Sequence, residues 1–142
     1  MLITLHISFY YIESRIGYIN KIIDETNTYS YRTNIYIHTN KQISSGQFNE
    51  YKNGTLTIIV HNLSNRNPFY LTWKCRDLLA QQKNDYDIFM YIEDDILVPK
   101  KALEYWLQYN EPLIKNGYNL GFVRIETNAG KEYITDLPKK KI

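Results

Sequence analysis

Residues 87–95 read Asp-Ile-Phe-Met-Tyr-Ile-Glu-Asp-Asp, a short apolar run that ends in three consecutive carboxylates. A run of this length, rich in aromatic and branched residues, is typical of a buried strand in an α/β sheet. Because an unpaired carboxylate is too costly to bury in its charged form, Glu93, Asp94 and Asp95 must lie where the strand leaves the core. In open α/β sheets, that carboxyl end of the strand lines the crevice in which ligands bind.

Strand-like and helix-like segments alternate along the rest of the chain. The sequence predicts strands over residues 3–8, 34–39 and 55–61, and helices over residues 12–26, 68–83 and 99–117. It also predicts a C-terminal hairpin that joins residues 121–126 to residues 132–136 through Asn128-Ala129-Gly130. This alternation favours a three-layer α/β sandwich, with helices on the faces of a mainly parallel, twisted sheet. We expect one domain over residues 1–142.

Length and charge narrow the class of protein. A chain of 142 residues is long enough for one hydrophobic core. The formal net charge of +2 gives no broad basic face, so we expect no nucleic-acid partner. The run Lys139-Lys140-Lys141 is interpreted as a solvated terminus.

No segment of the sequence predicts insertion into a membrane. No apolar stretch approaches the roughly 20 residues that span a bilayer, and residues 1–8 lack the basic start of a signal peptide. We therefore expect no membrane segment and a cytoplasmic location. The single cysteine, Cys75, can form no internal disulfide and lies on a predicted apolar stripe with Leu71, so we interpret it as a core residue.

The three consecutive carboxylates have two interpretations. Clustered oxygen ligands suit hard cations such as Mg²⁺ or Mn²⁺, which usually also contact substrate phosphates. In a continued strand, Glu93 and Asp95 would share one face and Asp94 would lie on the other. The alternative is a solvated strand end, or acids that cap the helix predicted after Pro99. Their position directly after a buried strand favours metal binding.

The order of these segments resembles a known family. The succession from Pro68-Phe69-Tyr70-Leu71-Thr72-Trp73-Lys74 through Tyr86-Asp87 to Tyr91-Ile92-Glu93-Asp94-Asp95-Ile96 is similar to the nucleotide-sugar half of GT-A glycosyltransferases. Residues 121–126, Gly-Phe-Val-Arg-Ile-Glu, also look like a segment of that family. The resemblance covers residues 3–136 and implies a GT-A fold, which is a Rossmann-like nucleotide-diphospho-sugar transferase fold.

The resemblance implies an activity and a metal. In GT-A enzymes an Asp-x-Asp-type motif closes a strand and holds the Mn²⁺ or Mg²⁺ that grips the diphosphate of the donor. By position, Asp95 would be the direct metal ligand, Asp94 would assist the metal or its water, and Glu93 would face the ribose or donor sugar. The implied partners are a nucleoside-diphosphate sugar, with a UDP-sugar favoured, and a glycan or other acceptor hydroxyl.

The same resemblance implies residues that contact the nucleotide. It lays the nucleotide over the end of the first strand, against Ser8, Phe9 and Tyr10, where an aromatic ring could stack on the base. Phe9 and Tyr10 could equally be ordinary core or rim residues. Arg15 is a candidate for the base or the phosphates, with an exposed helix arginine as the alternative, and Lys74 is a candidate for the diphosphate.

The catalytic base is the least defined part of the prediction. The chain is short for the family, whose acceptor-binding half normally follows the metal motif and commonly supplies the base. A base must reach the acceptor hydroxyl within about 3 Å. We name Glu126 as the candidate base of an inverting enzyme, while Asp136 is either a second late acid or a hairpin cap.

Two other functions stay open. The chain could be a non-catalytic or truncated domain that binds nucleotide sugars without transferring them. It could also be a metal-dependent phosphohydrolase or nuclease, for which further acids on neighbouring strand ends are expected. The ends of the first three predicted strands, near Ser8, Thr39 and His61, carry no such acids.

The three histidines fall in or at the ends of predicted strands. If His38 and His61 end neighbouring parallel strands, they would line the same crevice, which invites a zinc hypothesis. Their spacing, together with that of His6, matches no compact zinc motif. We therefore favour structural histidines whose hydrogen bonds are satisfied.

Overall fold

The structure, a computed structural model, describes residues 1–135. Strands and helices alternate as predicted, and the chain ends in a hairpin. Two single 3₁₀ turns, Glu13–Arg15 and Ser45–Gln47, lie between these elements. The elements are β1 (Leu2–Phe9), α1 (Ile16–Thr26), β2 (Arg32–Thr39), β3 (Leu56–Val60), α2 (Tyr70–Gln81), β4 (Ile88–Glu93), α3 (Lys100–Lys115), β5 (Ile125–Asn128) and β6 (Lys131–Ile134).

Four strands form one sheet in the order β3-β2-β1-β4. Each neighbouring pair is parallel, and Ile7 of the central strand β1 lies opposite Ile37 of β2 and Ile92 of β4. Because parallel strands need crossover connections, α1 follows β1 and α2 follows β3. The predicted α/β class, with a parallel sheet flanked by helices and a C-terminal hairpin, is confirmed in these terms.

One face of the sheet is apolar and is covered by α1. Successive side chains of a strand point to opposite faces, and the odd-numbered residues of β1 lie on this face. Helix α1 contributes Ile19, Ile22 and Ile23, whose spacing places them on one side of the helix. Each such buried side chain contributes about 1.5–3 kcal/mol. The buried core on this face comprises Leu5, Ile7, Phe9, Ile19, Ile22, Ile23, Ile35, Ile37, Ile43, Phe48 and Ile92.

The opposite face of the sheet is polar, although it is also covered. The even-numbered residues of β1 include Thr4 and His6, both with 0% exposure. Helix α2 packs against β1 and β2, and Gln82, directly after α2, hydrogen-bonds Thr4 and His6. Cys75 of α2 is fully buried, and burial raises the pKa of its thiol to about 12. The interpretation of Cys75 as a core residue is confirmed.

The chain divides into two compact units, residues 1–100 and the residues from Lys101 onward. In the second unit, α3 is followed by Gly117, whose φ of 81° is the left-handed conformation that glycine adopts without strain. The amide of Tyr118 donates to the carbonyl of Leu113 at 2.9 Å, and that of Gly117 to Ile114 at 2.9 Å. This pattern is a Schellman cap at the C-terminal end of the helix predicted over residues 99–117.

The hairpin differs in detail from the prediction. Its turn consists of Ala129 and Gly130, with φ of 50° and 72°, and Asn128 pairs with Lys131 inside the ladder. Two positive φ values define the tight turn that suits a two-residue hairpin loop. The first arm is therefore Ile125–Asn128 rather than residues 121–126, because the shorter turn takes Asn128 into the strand.

Some predictions fall outside residues 1–135. Asp136 and the run Lys139-Lys140-Lys141 lie outside the described residues, and the expectation of one domain over residues 1–142 stays a prediction. Among the helices of residues 1–135, none combines the length and the apolar character needed to cross a bilayer.

Candidate functional site

The carboxyl ends of β1 and β4 lie side by side at one edge of the sheet. Ser8, near the end of β1, pairs with Glu93, the last residue of β4. From β1 the chain proceeds to β2 and β3 on one side, and it later places β4 on the other side. In open α/β sheets, ligands bind in the crevice at this reversal of strand order. The structure therefore brings Ser8 close to Glu93, Asp94 and Asp95, which we call the acidic segment, at a typical ligand-binding position.

Beyond Glu93, the acidic segment forms a turn and does not continue the strand. The amide of Ile96 donates to the carbonyl of Glu93 at 3.1 Å, and this turn contains Asp94 and Asp95. The predicted alternation of side chains across a strand does not hold beyond Glu93, because β4 ends there. Instead, the carboxylates of Asp94 and Asp95 both contact the guanidinium of Arg15.

Arg15 joins the segment after β1 to the segment after β4. Its Nε lies 2.9 Å from Oδ2 of Asp94, and its Nη2 donates to Oδ2 of Asp95 at 3.0 Å. Arg15 ends the 3₁₀ turn that precedes α1, so its position depends on the same crossover that leaves β1. The predicted candidate is therefore an ion-paired residue at the edge of the sheet where β1 and β4 end.

Asp94 is the buried member of the acidic segment, with 5% of its surface exposed. Its Oδ2 is close to Arg15 but has no directed hydrogen bond to any of residues 1–135. Burial raises the pKa of this carboxyl, the Arg15 charge opposes that rise, and the negative charges of Asp95 and Glu93 add to it. Asp94 therefore carries a charge that its surroundings compensate only in part.

The acidic segment offers carboxylate oxygens, which are the ligands that hard divalent cations prefer. Within residues 1–135, no three His, Cys, Asp or Glu side chains converge so as to hold a metal ion. Mg²⁺, however, is usually held by one or two carboxylates together with substrate phosphates. The side chain of Asp95 is 48% exposed and uses one oxygen for Arg15, which leaves the other oxygen for such a cation.

The two aromatic residues at the end of β1 have different surroundings. Phe9 is fully buried in the apolar core, and its ring lies 5.9 Å from the ring of Tyr11. Phe9 is therefore a core residue, which was the alternative to contact with the nucleotide. Tyr10 is 41% exposed and points away from that core, so it is the aromatic ring at the end of β1 that a ligand can reach.

A cavity of about 460 Å³ opens beside Tyr10. It lies beyond the carboxyl ends of three neighbouring strands, with Tyr10 after β1, Asn40 after β2 and His61 after β3. The loop after β3 forms its wall and contributes Asn62 and Arg66. Its volume falls within the range of small-molecule sites, and its lining is mainly polar.

A row of three hydrogen-bonded histidines runs across the polar face of the sheet and ends at this cavity. His6 Nδ1 lies 2.9 Å from His38 Nε2, and His38 Nδ1 lies 2.8 Å from His61 Nε2. Neighbouring rings are stacked, with centroids 5.1 Å apart in both pairs. At the inner end, His6 Nε2 lies 2.9 Å from Oε1 of Gln82. We call His6, His38 and His61 the histidine row.

The histidine row disfavours positive charge. Burial, together with the smaller effect of the charges of His6 and His61, lowers the pKa of His38 to about 3. Burial also lowers the pKa values of His6 and His61. Each ring is therefore a neutral imidazole that hydrogen-bonds its neighbour in the row. This agrees with the interpretation of the three residues as structural histidines. The sequence placed these residues on strands, but only the register shows that they form one row.

Cationic residues border the open end of the histidine row. Lys74 of α2 is close enough to His61 for its charge to lower the pKa of that ring, while Asp77 acts in the opposite direction. Arg66 lines the cavity. Arg76, two residues further along α2, instead lies over the ring of Trp73, with its guanidinium carbon 4.2 Å from the ring centroid. Of the two helix cations, Lys74 is the one beside the cavity-lining His61.

The candidate base Glu126 belongs to β5 in the second unit. Its side chain is 63% exposed and lies 3.5 Å from Nη2 of Arg124. Exposed ion pairs of this kind are weakly held, so the carboxylate is available to other partners. Its role as a base stays a prediction.

The comparisons with known proteins add no family to this geometry. No family model matches the chain, and no curated protein or solved structure is significantly similar to it. The resemblance to GT-A glycosyltransferases therefore rests on the order of segments in the sequence and stays a proposal. What stands as a finding is an α/β unit with an acidic turn, a cavity and a histidine row at the carboxyl edge of its parallel sheet.

Proposed function

We propose that this chain binds a nucleoside-diphosphate sugar with a divalent metal and acts as a glycosyltransferase of the GT-A type. The observation that carries the proposal is the pairing of Ser8 with Glu93 at the reversal of strand order. This pairing sets the exposed ring of Tyr10 and the acidic turn at the same edge of the sheet. A nucleotide has an aromatic base and an anionic diphosphate, and that edge offers a group for each.

In this proposal the base contacts Tyr10 and the diphosphate approaches the turn that holds Asp94 and Asp95. Arg15 supports the proposal because it places a cation, which favours an anionic diphosphate, in contact with both aspartates of this turn. Glu93 is exposed beside Ser8 and is suited to accept hydrogen bonds from ribose or sugar hydroxyls. Lys74 adds a second positive charge near the cavity.

Asp95 would hold the metal, with Asp94 behind it. A bound Mn²⁺ or Mg²⁺ would offset the negative charge that grows on the diphosphate as it leaves. The residues of the chain orient the donor for that step. Glu126 would accept the proton of the attacking acceptor hydroxyl if transfer inverts the sugar configuration.

Calorimetric titration of UDP, GDP and CDP and their sugars, with and without Mn²⁺, tests the donor site. We expect one nucleotide class to bind with manganese-dependent affinity. Asp95→Ala should remove the manganese dependence and leave the fold intact, because an exposed turn residue contributes little to the core. Glu132→Ala removes one exposed carboxylate from β6 and is the matched control, which should bind as the unchanged protein does.

Two results would contradict the proposed donor site. The first is the absence of binding for every nucleotide, with and without the metal. The second is an unchanged manganese dependence in Asp95→Ala. Transfer activity needs its own assay, in which release of UDP or another nucleoside diphosphate is measured with candidate glycan acceptors.

A non-catalytic nucleotide-sugar-binding domain is the second candidate. It is favoured by the ion pairs of Arg15, which compensate both aspartates without a metal. Such a domain would bind the donor with the same base preference but release no nucleoside diphosphate with any acceptor. Binding that is independent of Mn²⁺, together with no turnover, would favour this candidate over the enzyme.

A further inference from the structure

The open end of the histidine row is a hydrogen-bonding group of defined polarity that faces a cavity. His61 lines the cavity, and its Nε2 is used by His38. Its other nitrogen, Nδ1, has no hydrogen-bond partner within residues 1–135. A ligand in the cavity would therefore meet either a hydrogen-bond donor or an acceptor at Nδ1 of His61. Which of the two it meets depends on which nitrogen of each ring in the row carries the proton, and we call this arrangement the proton order.

The proton order is set at the inner end of the row by the amide of Gln82. Its Oε1 lies 3.1 Å from Oγ1 of Thr4, which donates to it, and 2.9 Å from Nε2 of His6. Burial raises the pKa of the Tyr36 phenol to about 12, and a hydrogen bond from the other half of the Gln82 amide opposes that rise. Nε2 of His6 also lies 3.0 Å from Oγ1 of Thr4. Because the carbonyl oxygen of Gln82 only accepts and the Thr4 hydroxyl already donates to it, a proton on Nε2 of His6 is the arrangement that satisfies all three atoms.

The order then passes from ring to ring. A neutral imidazole carries one proton, so Nδ1 of His6 accepts and Nε2 of His38 must donate to it. By the same argument, Nδ1 of His38 accepts and Nε2 of His61 donates. The low pKa of His38 keeps this central ring neutral at pH 7. Nδ1 of His61 is therefore an acceptor without a proton.

We infer that His61 selects nucleobases that present a ring N–H to the cavity, namely uracil and guanine, over cytosine and adenine. This inference rests on the proposed nucleotide site. When the ring nitrogen of the base faces His61 Nδ1, uracil N3–H and guanine N1–H donate to it, whereas cytosine N3 and adenine N1 are acceptors that face its lone pair. Cytosine and adenine could donate from their amino groups only if the base shifted away from this position. Tyr10 of the same cavity offers an aromatic ring to the base.

The experiment compares UDP, GDP, CDP and ADP by calorimetry at pH 7.5. We expect UDP or GDP to bind about tenfold or more tightly than CDP and ADP, since a mismatched pair of acceptors loses a hydrogen bond and leaves two groups unsatisfied. His61→Asn, whose amide can offer either a donor or an acceptor, should reduce this ratio to about one. Lys52→Gln changes an exposed residue outside this cavity and should keep the ratio.

A second measurement addresses the proton order directly. Nitrogen-15 NMR of the histidine side chains distinguishes a protonated Nδ1 from an unprotonated one. All three rings should carry their proton on Nε2, and the Nδ1 resonance of His61 should shift when UDP or GDP is added. This measurement uses the unchanged protein and so does not depend on the folding of any variant.

The outcomes separate this inference from the proposed function. Nucleotide binding with no preference, or with a preference that His61→Asn retains, overturns the inference and leaves the donor site standing. A proton on Nδ1 of His61 overturns it as well. Failure of all four nucleotides to bind overturns the inference together with the proposed function.

Discussion

The Nε atom of Arg15 lies 2.9 Å from Oδ2 of Asp94, a carboxylate that is 5% exposed. Arg15 follows β1 and Asp94 follows β4, so this pair ties together the two strand ends at which the sheet reverses its order. Removing one partner of a buried pair leaves an uncompensated charge. We therefore expect Arg15 to contribute to the stability of the fold as well as to the binding of a ligand.

Arg15→Gln is expected to lower the free energy of unfolding by about 1–3 kcal/mol, the usual effect of losing a hydrogen-bonded charge partner. Urea denaturation followed by circular dichroism measures it. Lys52→Gln breaks the pair with Glu50, in which both side chains are more than 70% exposed, and should leave stability unchanged. Equal stability of Arg15→Gln and the unchanged protein would contradict the importance of the ion pair.

Asp94→Asn is expected to stabilise the protein at pH 7. Burial raises the pKa of Asp94 above its unfolded value despite Arg15, so the folded state disfavours the charge of this carboxylate. The charge of Asp94 therefore lowers the stability of the folded state. By linkage, this destabilisation is fully present above the pKa of Asp94 in the folded protein and disappears below its pKa of about 3.9 in the unfolded chain. The advantage of the variant should therefore shrink as the pH falls from 7 to 3.

Thermal unfolding of Asp94→Asn at a series of pH values provides the measurement. Because the two changes act on the same ion pair, Arg15→Gln combined with Asp94→Asn should be more stable than Arg15→Gln alone. A variant that is less stable than the unchanged protein at pH 7 would show that the pair with Arg15 outweighs the cost of burial.

The histidine row should make the protein sensitive to mild acid. The pKa of His38 is lowered to about 3, below its unfolded value of about 6.5, so the unfolded state binds the proton more readily. This contribution to stability is complete above pH 6.5 and is lost as the pH falls from 6.5 towards 3. Within that window, each proton excluded from the folded state gives a slope of roughly 1.4 kcal/mol per pH unit.

Urea denaturation at pH 7.5, 6.0 and 4.5 measures this loss. His38→Gln removes the central titrating ring and should show a smaller loss of stability between pH 7.5 and 4.5, although its stability at pH 7.5 is also expected to be lower. An identical pH dependence in the variant and the unchanged protein would mean that other groups cause the acid sensitivity.

Gly54→Ala should destabilise the protein strongly. Gly54 precedes β3, and a Cβ atom added there would lie 2.0 Å from the carbonyl oxygen of Thr33, closer than any real contact. The backbone of β2 or β3 would have to move, so we expect a loss of at least about 2 kcal/mol. Gly17→Ala in α1 meets no atom within 4 Å and is the matched control, expected to be neutral or slightly stabilising.

Differential scanning calorimetry compares these two glycine variants directly. A midpoint for Gly54→Ala within one degree or so of the Gly17→Ala midpoint would show that the loop before β3 can shift at little cost. Such a result would contradict the close approach of Gly54 to Thr33.

The elements of the first unit could be predicted because each one depends on local sequence. The period-two pattern of residues 34–39 and the 3.6-residue pattern of Ile19, Ile22 and Ile23 report burial on one side of a strand or helix. Gly117 could be predicted as a cap because only the residue type decides the left-handed conformation. In the hairpin, however, the sequence does not tell whether Asn128 belongs to the turn or the strand.

The candidate site could be predicted only in part. The position of Glu93, Asp94 and Asp95 at a strand end follows from the sequence, because charged residues cannot follow an apolar run into the core. Their contacts with Arg15 depend on the turn that begins after Glu93. Nothing local indicates that turn, since the same residues could continue an exposed strand.

The sequence by itself determined which residues are buried along each strand and which residue types are present at the strand ends. Only the tertiary structure decided which of them meet, because hydrogen bonding of β1 with β2 and of β2 with β3 selects one register among several that bury the same side chains. That register lines up His6, His38 and His61, whose ring contacts are made across strands rather than along the chain.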